Sequence, residues 1–145
     1  MQKNLETLGE ITYTEDEIAY ANTILKESGK PQIGINGKVT PLQETLPAQG
    51  GSTDVGDVSQ VVPTIRMSAT VASDGGPWHS WAVVACTGMS IGHKGMIYAA
   101  KALSMTMADL YKNPKLVEAV KADYQKNKKS EPYRPRILPG PPSLD

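Results

Sequence analysis

The sequence predicts an α/β fold in which helices cover a small mixed β-sheet. Apolar and polar residues alternate over 63–72, which is typical of a half-buried strand. A short apolar run near 81–87 indicates a second, buried strand, and we expect the two strands to pair as neighbours in a meander. Three segments repeat apolar residues every three or four positions, which predicts amphipathic helices near 14–28, 94–112 and 114–128.

Helix boundaries are marked by capping residues. Thr14 and Glu17 form a capping box, in which the hydroxyl and the carboxylate each accept a hydrogen bond from a free backbone N–H. Gly29, followed by Pro31, ends the same helix. The pair Asn113-Pro114 predicts the start of the last helix, because proline fits its first turn.

Two loop segments contain residues that favour tight turns. Asn36-Gly37, between apolar residues, predicts a short hairpin with a type I′ turn. Farther along, Gly50 and Gly51 would let the backbone approach a ligand closely, and Thr53 and Asp54 follow with short polar side chains. The alternative for the second segment is an ordinary glycine-rich turn before a helix, and the segment taken alone favours it.

The chain has two histidines. His93 falls between the predicted second strand and the long helix after it, where α/β folds bind ligands. An imidazole held there suits a metal ligand or a proton shuttle, although a lone histidine is more often a satisfied surface or core residue. His79 lies between Trp78 and Ser80 on a loop, where it either faces a cleft or belongs to a tryptophan-anchored turn.

Composition restricts the class of protein. The 145 residues include 15 basic and 15 acidic side chains, so nothing points to a nucleic acid or a membrane surface as partner. A single cysteine, Cys86, is typical of a reducing compartment. With no charged-then-apolar leader and no long apolar run, we expect a soluble cytoplasmic protein. One domain over 1–128 and a proline-rich tail over 129–145 are predicted.

Three motifs together resemble a known family. They are the segment GGSTDVGDVSQVV from Gly50 to Val62, the segment Trp78-His79-Ser80-Trp81, and Gly92-His93-Lys94-Gly95-Met96. In this order and spacing they resemble the C-terminal part of di-zinc metallopeptidases of the aminoacylase and glutamate carboxypeptidase group. The resemblance implies a partial zinc-peptidase catalytic domain, taken from an amidohydrolase that cleaves acyl- or aminobenzoyl-amino acid amides.

The resemblance also implies roles for individual residues. His93 matches the last metal-ligating histidine of the family. The glycine-rich loop that borders the substrate is matched by Gly50, Gly51, Thr53 and Asp54, and His79 falls in a shared segment at the same site. The complete enzyme would use zinc or manganese.

The sequence lacks most of the catalytic residues that the family shares. The family draws a His-x-Asp pair and a Glu-Glu pair from its N-terminal half, and this sequence contains neither. A zinc pair needs several convergent ligands and a general base. We therefore expect no tightly bound metal and no activity from this chain alone, and a partner that is either a second copy or an N-terminal half polypeptide. The alternatives are a non-enzymatic half-domain that assembles with itself or a partner, and an unrelated small α/β binding module.

Overall fold

A computed structural model describes residues 1–42, 53–128, 132–135 and 140–141. Every regular element in these ranges is an α-helix, and none of these residues lies in a β-strand. The predicted α/β fold with a small mixed sheet is therefore wrong. The helices are α1 (Gln2–Leu8), α2 (Glu15–Glu27), α3 (Val55–Val61), α4 (Trp81–Thr87), α5 (Ser90–Lys112) and α6 (Pro114–Asn127).

The chain forms two compact units. Unit 1 comprises Met1–Thr45 and Met67–Lys112, and it contains α1, α2, α4 and α5. Unit 2 comprises Leu46–Arg66 and Asn113–Asp145, and it contains α3 and α6. The predicted division into a domain over 1–128 and a tail over 129–145 stays a prediction.

The three predicted helices are confirmed. α2 has the predicted capping box at Thr14, and Gly29 follows its C-terminus with a φ of 68°, a backbone conformation that glycine adopts without strain. α6 begins at Pro114 after Asn113, whose side chain accepts a hydrogen bond from the Leu116 amide. α5 begins at Ser90, four residues before its predicted start at residue 94.

The strand predicted near 81–87 is helix α4. Ser80 caps this helix, because its hydroxyl oxygen accepts a hydrogen bond from the Ala82 amide at 3.3 Å. Ala82 and Cys86 are four residues apart and both are buried, so they form one face of a helix. A short apolar run has the same pattern in a buried strand and in a buried helix, and the cap at Ser80 favours the helix.

The strand predicted over 63–72 is an irregular segment with no strand partner among the described residues. Met67, Ala69 and Val71 are half-buried and Ser68 is exposed, so the alternation of burial is present in part. A strand needs a neighbour whose backbone completes its hydrogen bonds. The neighbour predicted near 81–87 is a helix, so that partner is absent.

The predicted hairpin at Asn36-Gly37 is also wrong. A type I′ turn needs a positive φ at both central residues, and neither Asn36 nor Gly37 has one. The Asn36 side chain instead accepts a hydrogen bond from the Lys38 amide, and the Ile11 amide donates to the Gly37 carbonyl at 2.9 Å. The segment therefore pairs with the loop before α2 and not with itself.

The core of unit 1 is small and lies among α2, α4 and the start of α5. Half-buried tyrosine, isoleucine and alanine side chains surround it. α1 packs on α5, where the buried Asn4 side chain donates hydrogen bonds to Asp109 and Thr106. The buried core cluster consists of Ala21, Ile24, Ala82, Cys86 and Ile91. In the part of the chain that the structure describes, no helix is both long enough and apolar enough to span a bilayer.

Candidate functional site

The site region of unit 1 begins at the N-terminus of α2, where Glu17 occupies the third helical position. Its backbone amide donates to the Thr14 hydroxyl at 3.2 Å, and its carboxylate accepts from the Thr14 amide at 2.8 Å. The side chain is 9% exposed. A carboxylate at this depth needs further hydrogen-bond donors, because burial disfavours its charge.

Two side chains from the first turns of α5 supply those donors. Lys94 Nζ donates to Glu17 Oε2 at 2.6 Å, and Ser90 Oγ donates to Glu17 Oε1 at 2.6 Å. Lys94 also donates to the Thr12 carbonyl at 2.9 Å and lies 5.5 Å from the centroid of the Tyr13 ring. Lys94 and Ser90 together hold the pKa of Glu17 at about 2, below its usual value of 4.5.

The same cluster affects Tyr13. Burial raises the pKa of the Tyr13 phenol to about 12, and the negative charge of Glu17 adds to the effect. A phenol with this pKa is neutral at physiological pH. The Tyr13 phenol is therefore not available as a base. Lys94 Nζ is bonded to the Glu17 carboxylate and the Thr12 carbonyl, so the cluster is a structural junction between α2 and α5.

The glycines on both sides of His93 are required by close backbone contacts. A Cβ atom on Gly92 would lie 2.2 Å from the Thr87 carbonyl oxygen, and one on Gly95 would lie 2.1 Å from the Thr70 carbonyl oxygen. Both glycines are buried. Any larger residue at either position would force backbone atoms apart.

Packing does not account for His93. Its side chain is exposed in the first turn of α5, and its amide donates to the Met89 carbonyl at 3.1 Å. The sequence predicted that His93 lies in the loop after a strand, and the structure places it within a helix that follows a helix. Its predicted role as a metal ligand stays a prediction.

His79 has an unusual backbone. Its φ of 57° is positive, and it is the one non-glycine residue with a positive φ in the described ranges. Its side chain is exposed beside Trp78, which is 69% exposed. Ser80 fixes the next residue, because its hydroxyl donates to the Pro77 carbonyl at 2.6 Å while it caps α4. Strained positions of this kind are common at functional sites.

The predicted substrate loop falls partly outside the described residues. Gly50 and Gly51 lie there, so their predicted role stays a prediction. Thr53 and Asp54 precede α3 in unit 2, and Thr53 Oγ1 accepts a hydrogen bond from the Val55 amide at 3.3 Å. Thr53 borders a shallow open depression of about 290 Å³, whose other lining residues are Val55, Gly56, Ser59, Thr64 and Arg66.

The described residues do not form a metal site by themselves. Within them, no group of three or more histidine, cysteine, aspartate or glutamate side chains is placed to hold a metal ion. His79 and His93 belong to unit 1, whereas Thr53 and Asp54 belong to unit 2. A zinc ion in a protein takes three or four protein ligands, and the side chains of the described residues do not supply that number at one place.

The cluster of Glu17, Ser90 and Lys94 was not predicted from the sequence. Glu17 was assigned to the capping box alone. The sequence feature that could have pointed to this cluster is Lys94, a charged residue inside the Gly-His-Lys-Gly motif and next to the apolar residues of α5. No local pattern indicates that this lysine reaches a carboxylate 77 residues earlier in the chain.

Comparison with known proteins gives a relative for part of the chain. The chain is 33% identical over 96 residues, or 66% of its length, to a subunit of p-aminobenzoyl-glutamate hydrolase from Escherichia coli strain K12. The matched segment spans 20% of the length of that protein. No family model matches the chain, and no solved structure matches it. The chain is thus related in sequence to p-aminobenzoyl-glutamate hydrolase over the matched 96 residues.

Proposed function

We propose that this chain is the C-terminal portion of a metal-dependent amidohydrolase of the di-zinc aminoacylase and glutamate carboxypeptidase group, and that it is inactive alone. The observation that carries the proposal is the 33% identity to the E. coli p-aminobenzoyl-glutamate hydrolase. The name of that relative supports an aminobenzoyl- or acyl-amino acid as the substrate class. The relative is named as a subunit, which supports assembly of this chain with another polypeptide.

The proposal assigns this chain one metal ligand, His93. The exposed position of His93 supports this role, because Gly92, Lys94 and Gly95 are all committed to packing or to the ion pair with Glu17. The described residues supply no complete ligand set, so the remaining ligands and the general base would come from a partner polypeptide. We expect no hydrolysis by the isolated chain with added zinc or manganese.

Unit 2, taken by itself, has side chains that suit the carboxylate of an N-acylated amino acid. An N-acylated amino acid carries a carboxylate, and a guanidinium group binds a carboxylate through two parallel hydrogen bonds. Arg66 lines the depression beside Thr53. Ser59 and Thr64 also line it, but their hydroxyls donate to the Gly56 and Val62 carbonyls. Arg66 and the Thr53 hydroxyl are therefore the donors available to a substrate carboxylate.

A chimera tests the proposal. The matched segment of this chain replaces its counterpart within the E. coli hydrolase, and hydrolysis of p-aminobenzoyl-glutamate is measured. We expect the chimera to be active, and His93→Ala to lose at least a hundredfold in kcat/KM, while the exposed Lys101→Ala on the same helix retains activity. A folded chimera without activity, or an active His93→Ala chimera, would contradict the proposal.

The alternative is a non-enzymatic half-domain that assembles with itself or with a partner. The observation that favours it is the absence of a complete ligand set among the described residues. The chimera separates the two functions, because a purely structural chain would not depend on the imidazole of His93. Circular dichroism of the chimera and of His93→Ala would show that both remain folded.

A further inference from the structure

The pair Asn36-Gly37 has no role in the proposed function, and its structure is not the predicted hairpin. Both residues lie in an irregular segment after α2, and Asn36 is exposed. The glycine is required by packing, since a Cβ atom on Gly37 would lie 2.0 Å from the Ile11 carbonyl oxygen. Position 37 therefore has no side chain to shield its backbone nitrogen from the asparagine side chain before it.

The Asn36 side chain is folded back over its own backbone. Its Oδ1 accepts a hydrogen bond from the Lys38 amide at 3.0 Å, a contact that asparagine often makes with the residue two positions later. This bond closes a ring of atoms that includes both Asn36 Cγ and the Gly37 nitrogen, so the two stay close. Among the hydrogen bonds of the described residues, neither the Gly37 amide nor the Asn36 side-chain NH₂ is a donor.

We propose that Asn36 is a site of spontaneous deamidation, and that the product loosens the segment around it. The Gly37 nitrogen gives up its proton and attacks Asn36 Cγ, so that a C–N bond forms. The bond from Cγ to Nδ2 then breaks, and Nδ2 leaves with a proton as ammonia. Water opens the five-membered imide at either of its carbonyls, which gives aspartate or isoaspartate. Water is the only co-reactant, and the inference does not depend on the amidohydrolase proposal.

The fold supplies a hydrogen-bond donor for the attack. When the Gly37 nitrogen adds to Cγ, negative charge develops on Oδ1, and the Lys38 amide already donates to that oxygen. A backbone N–H aimed at a developing oxyanion stabilises the transition state. In an unfolded chain the same three residues lack this fixed arrangement, so the folded state holds the reacting atoms ready.

Isoaspartate at position 36 lengthens the main chain by one methylene group, because the chain then runs through the former side chain. Two hydrogen bonds hold the native backbone there. The Thr70 hydroxyl donates to the Asn36 carbonyl, and the Ile11 amide donates to the Gly37 carbonyl at 2.9 Å. A longer main chain cannot keep both bonds in place. The Thr70 carbonyl lies against Gly95, so the modification loosens the packing behind the start of α5.

Peptide mass spectrometry of the folded chain, incubated in mildly alkaline buffer, tests the site. Asn36 should deamidate roughly tenfold faster than Asn22 and Asn127, or more, because a following residue with a side chain hinders the attack. These two asparagines are internal controls, since Thr23 and Lys128 follow them and their side chains are hydrogen-bonded. Similar rates at the three positions, or no deamidation at Asn36, would overturn the proposal.

Two comparisons test the part that the fold plays. The folded chain should deamidate at least as fast as the same chain in guanidinium chloride. Lys38→Pro, which lacks the amide N–H, should react about threefold more slowly than Lys38→Ala, which keeps it. Circular dichroism shows whether both variants are folded. A folded chain that reacts more slowly than the unfolded chain, or equal rates in the two folded variants, would contradict a role for the Lys38 amide.

Thermal unfolding tests the consequence. Wild-type chain that contains isoaspartate should unfold at a lower temperature than fresh chain. Asn36→Asp should match the fresh chain, because a carboxylate also accepts the Lys38 amide and the main chain keeps its length. Asn36→Gln should keep its midpoint during incubation, since its longer side chain forms a cyclic imide far more slowly. Equal midpoints for fresh and isoaspartate-containing chain would overturn the proposed loosening.

Discussion

Lys94 Nζ lies 2.6 Å from Glu17 Oε2, and this ion pair joins the start of α5 to the start of α2. The two residues are 77 positions apart in the chain. Glu17 also closes the capping box of α2, so one carboxylate stabilises a helix end and holds a second helix against it.

Removing the lysine should destabilise the fold. Lys94→Met leaves the Glu17 carboxylate buried with fewer donors, and we expect a loss of about 2 kcal/mol in the free energy of unfolding. The loss should be smaller than for a fully buried pair, because the Lys94 side chain is 36% exposed. Urea denaturation measures it. Glu15→Gln, at an exposed position of the same helix, should change stability by less than about 0.5 kcal/mol.

Stability should fall in acid because of Glu17. Its pKa is lowered from 4.5 to about 2, so the unfolded state binds a proton that the folded state does not bind between these values. The contribution of Glu17 is complete above pH 4.5 and is lost as the pH falls toward 2. Denaturation curves from pH 7 downward should show a steeper loss for the wild type than for Glu17→Gln. Equal slopes in the two proteins would contradict the lowered pKa.

Substitution of Gly95 should be costly. A Cβ atom there would lie 2.1 Å from the Thr70 carbonyl oxygen, so Gly95→Ala should lower the free energy of unfolding by roughly 1–3 kcal/mol. Gly88→Ala is the matched control, since its Cβ would meet the nearest atom at 3.6 Å. The comparison uses the midpoints of thermal unfolding of the two variants. Similar midpoints for the two alanine variants would show that α5 can move away from Thr70 without cost.

The backbone at His79 should tolerate only certain residues. Because φ is 57° there, His79→Val should destabilise the fold by about 1–2 kcal/mol, and His79→Gly should not. The side chain is exposed, so neither change removes a packing contact. Urea denaturation distinguishes the two variants. If valine and glycine gave the same stability, the positive φ would not be retained in solution.

Three of the six helices in the described ranges, α2, α5 and α6, were predictable from sequence because their signals are local. Thr14, Glu17 and Asn113 act within a few residues, and their caps form as predicted. The sheet was predicted wrongly because the apolar run after Ser80 fits either a strand or a helix. Because α4 is a helix, the alternating segment before it has no strand to pair with among the described residues, so the wrong assignment of 81–87 also made the strand over 63–72 wrong.

The candidate site was predictable only in outline. The sequence indicated His79, His93, Thr53 and Asp54 through motifs, but the ion pair of Glu17 with Lys94 depends on how two distant helices pack. The positive φ of His79 was equally hidden, because nothing in its side chain requires that conformation. The ion pair was missed because it depends on contacts between elements, which a pattern within one element does not reveal.

The close contacts of Gly92 and Gly95 affect how motif searches should be interpreted. A search with Gly-His-Lys-Gly selects for two glycines that allow close contact with backbone atoms of other segments. It also selects for a lysine that forms an ion pair with a distant carboxylate. Proteins that share this helix junction will score well whether or not they bind a metal. The residue at the position of His93 is therefore the one to compare among relatives, because the close contacts of Gly92 and Gly95 do not depend on its side chain.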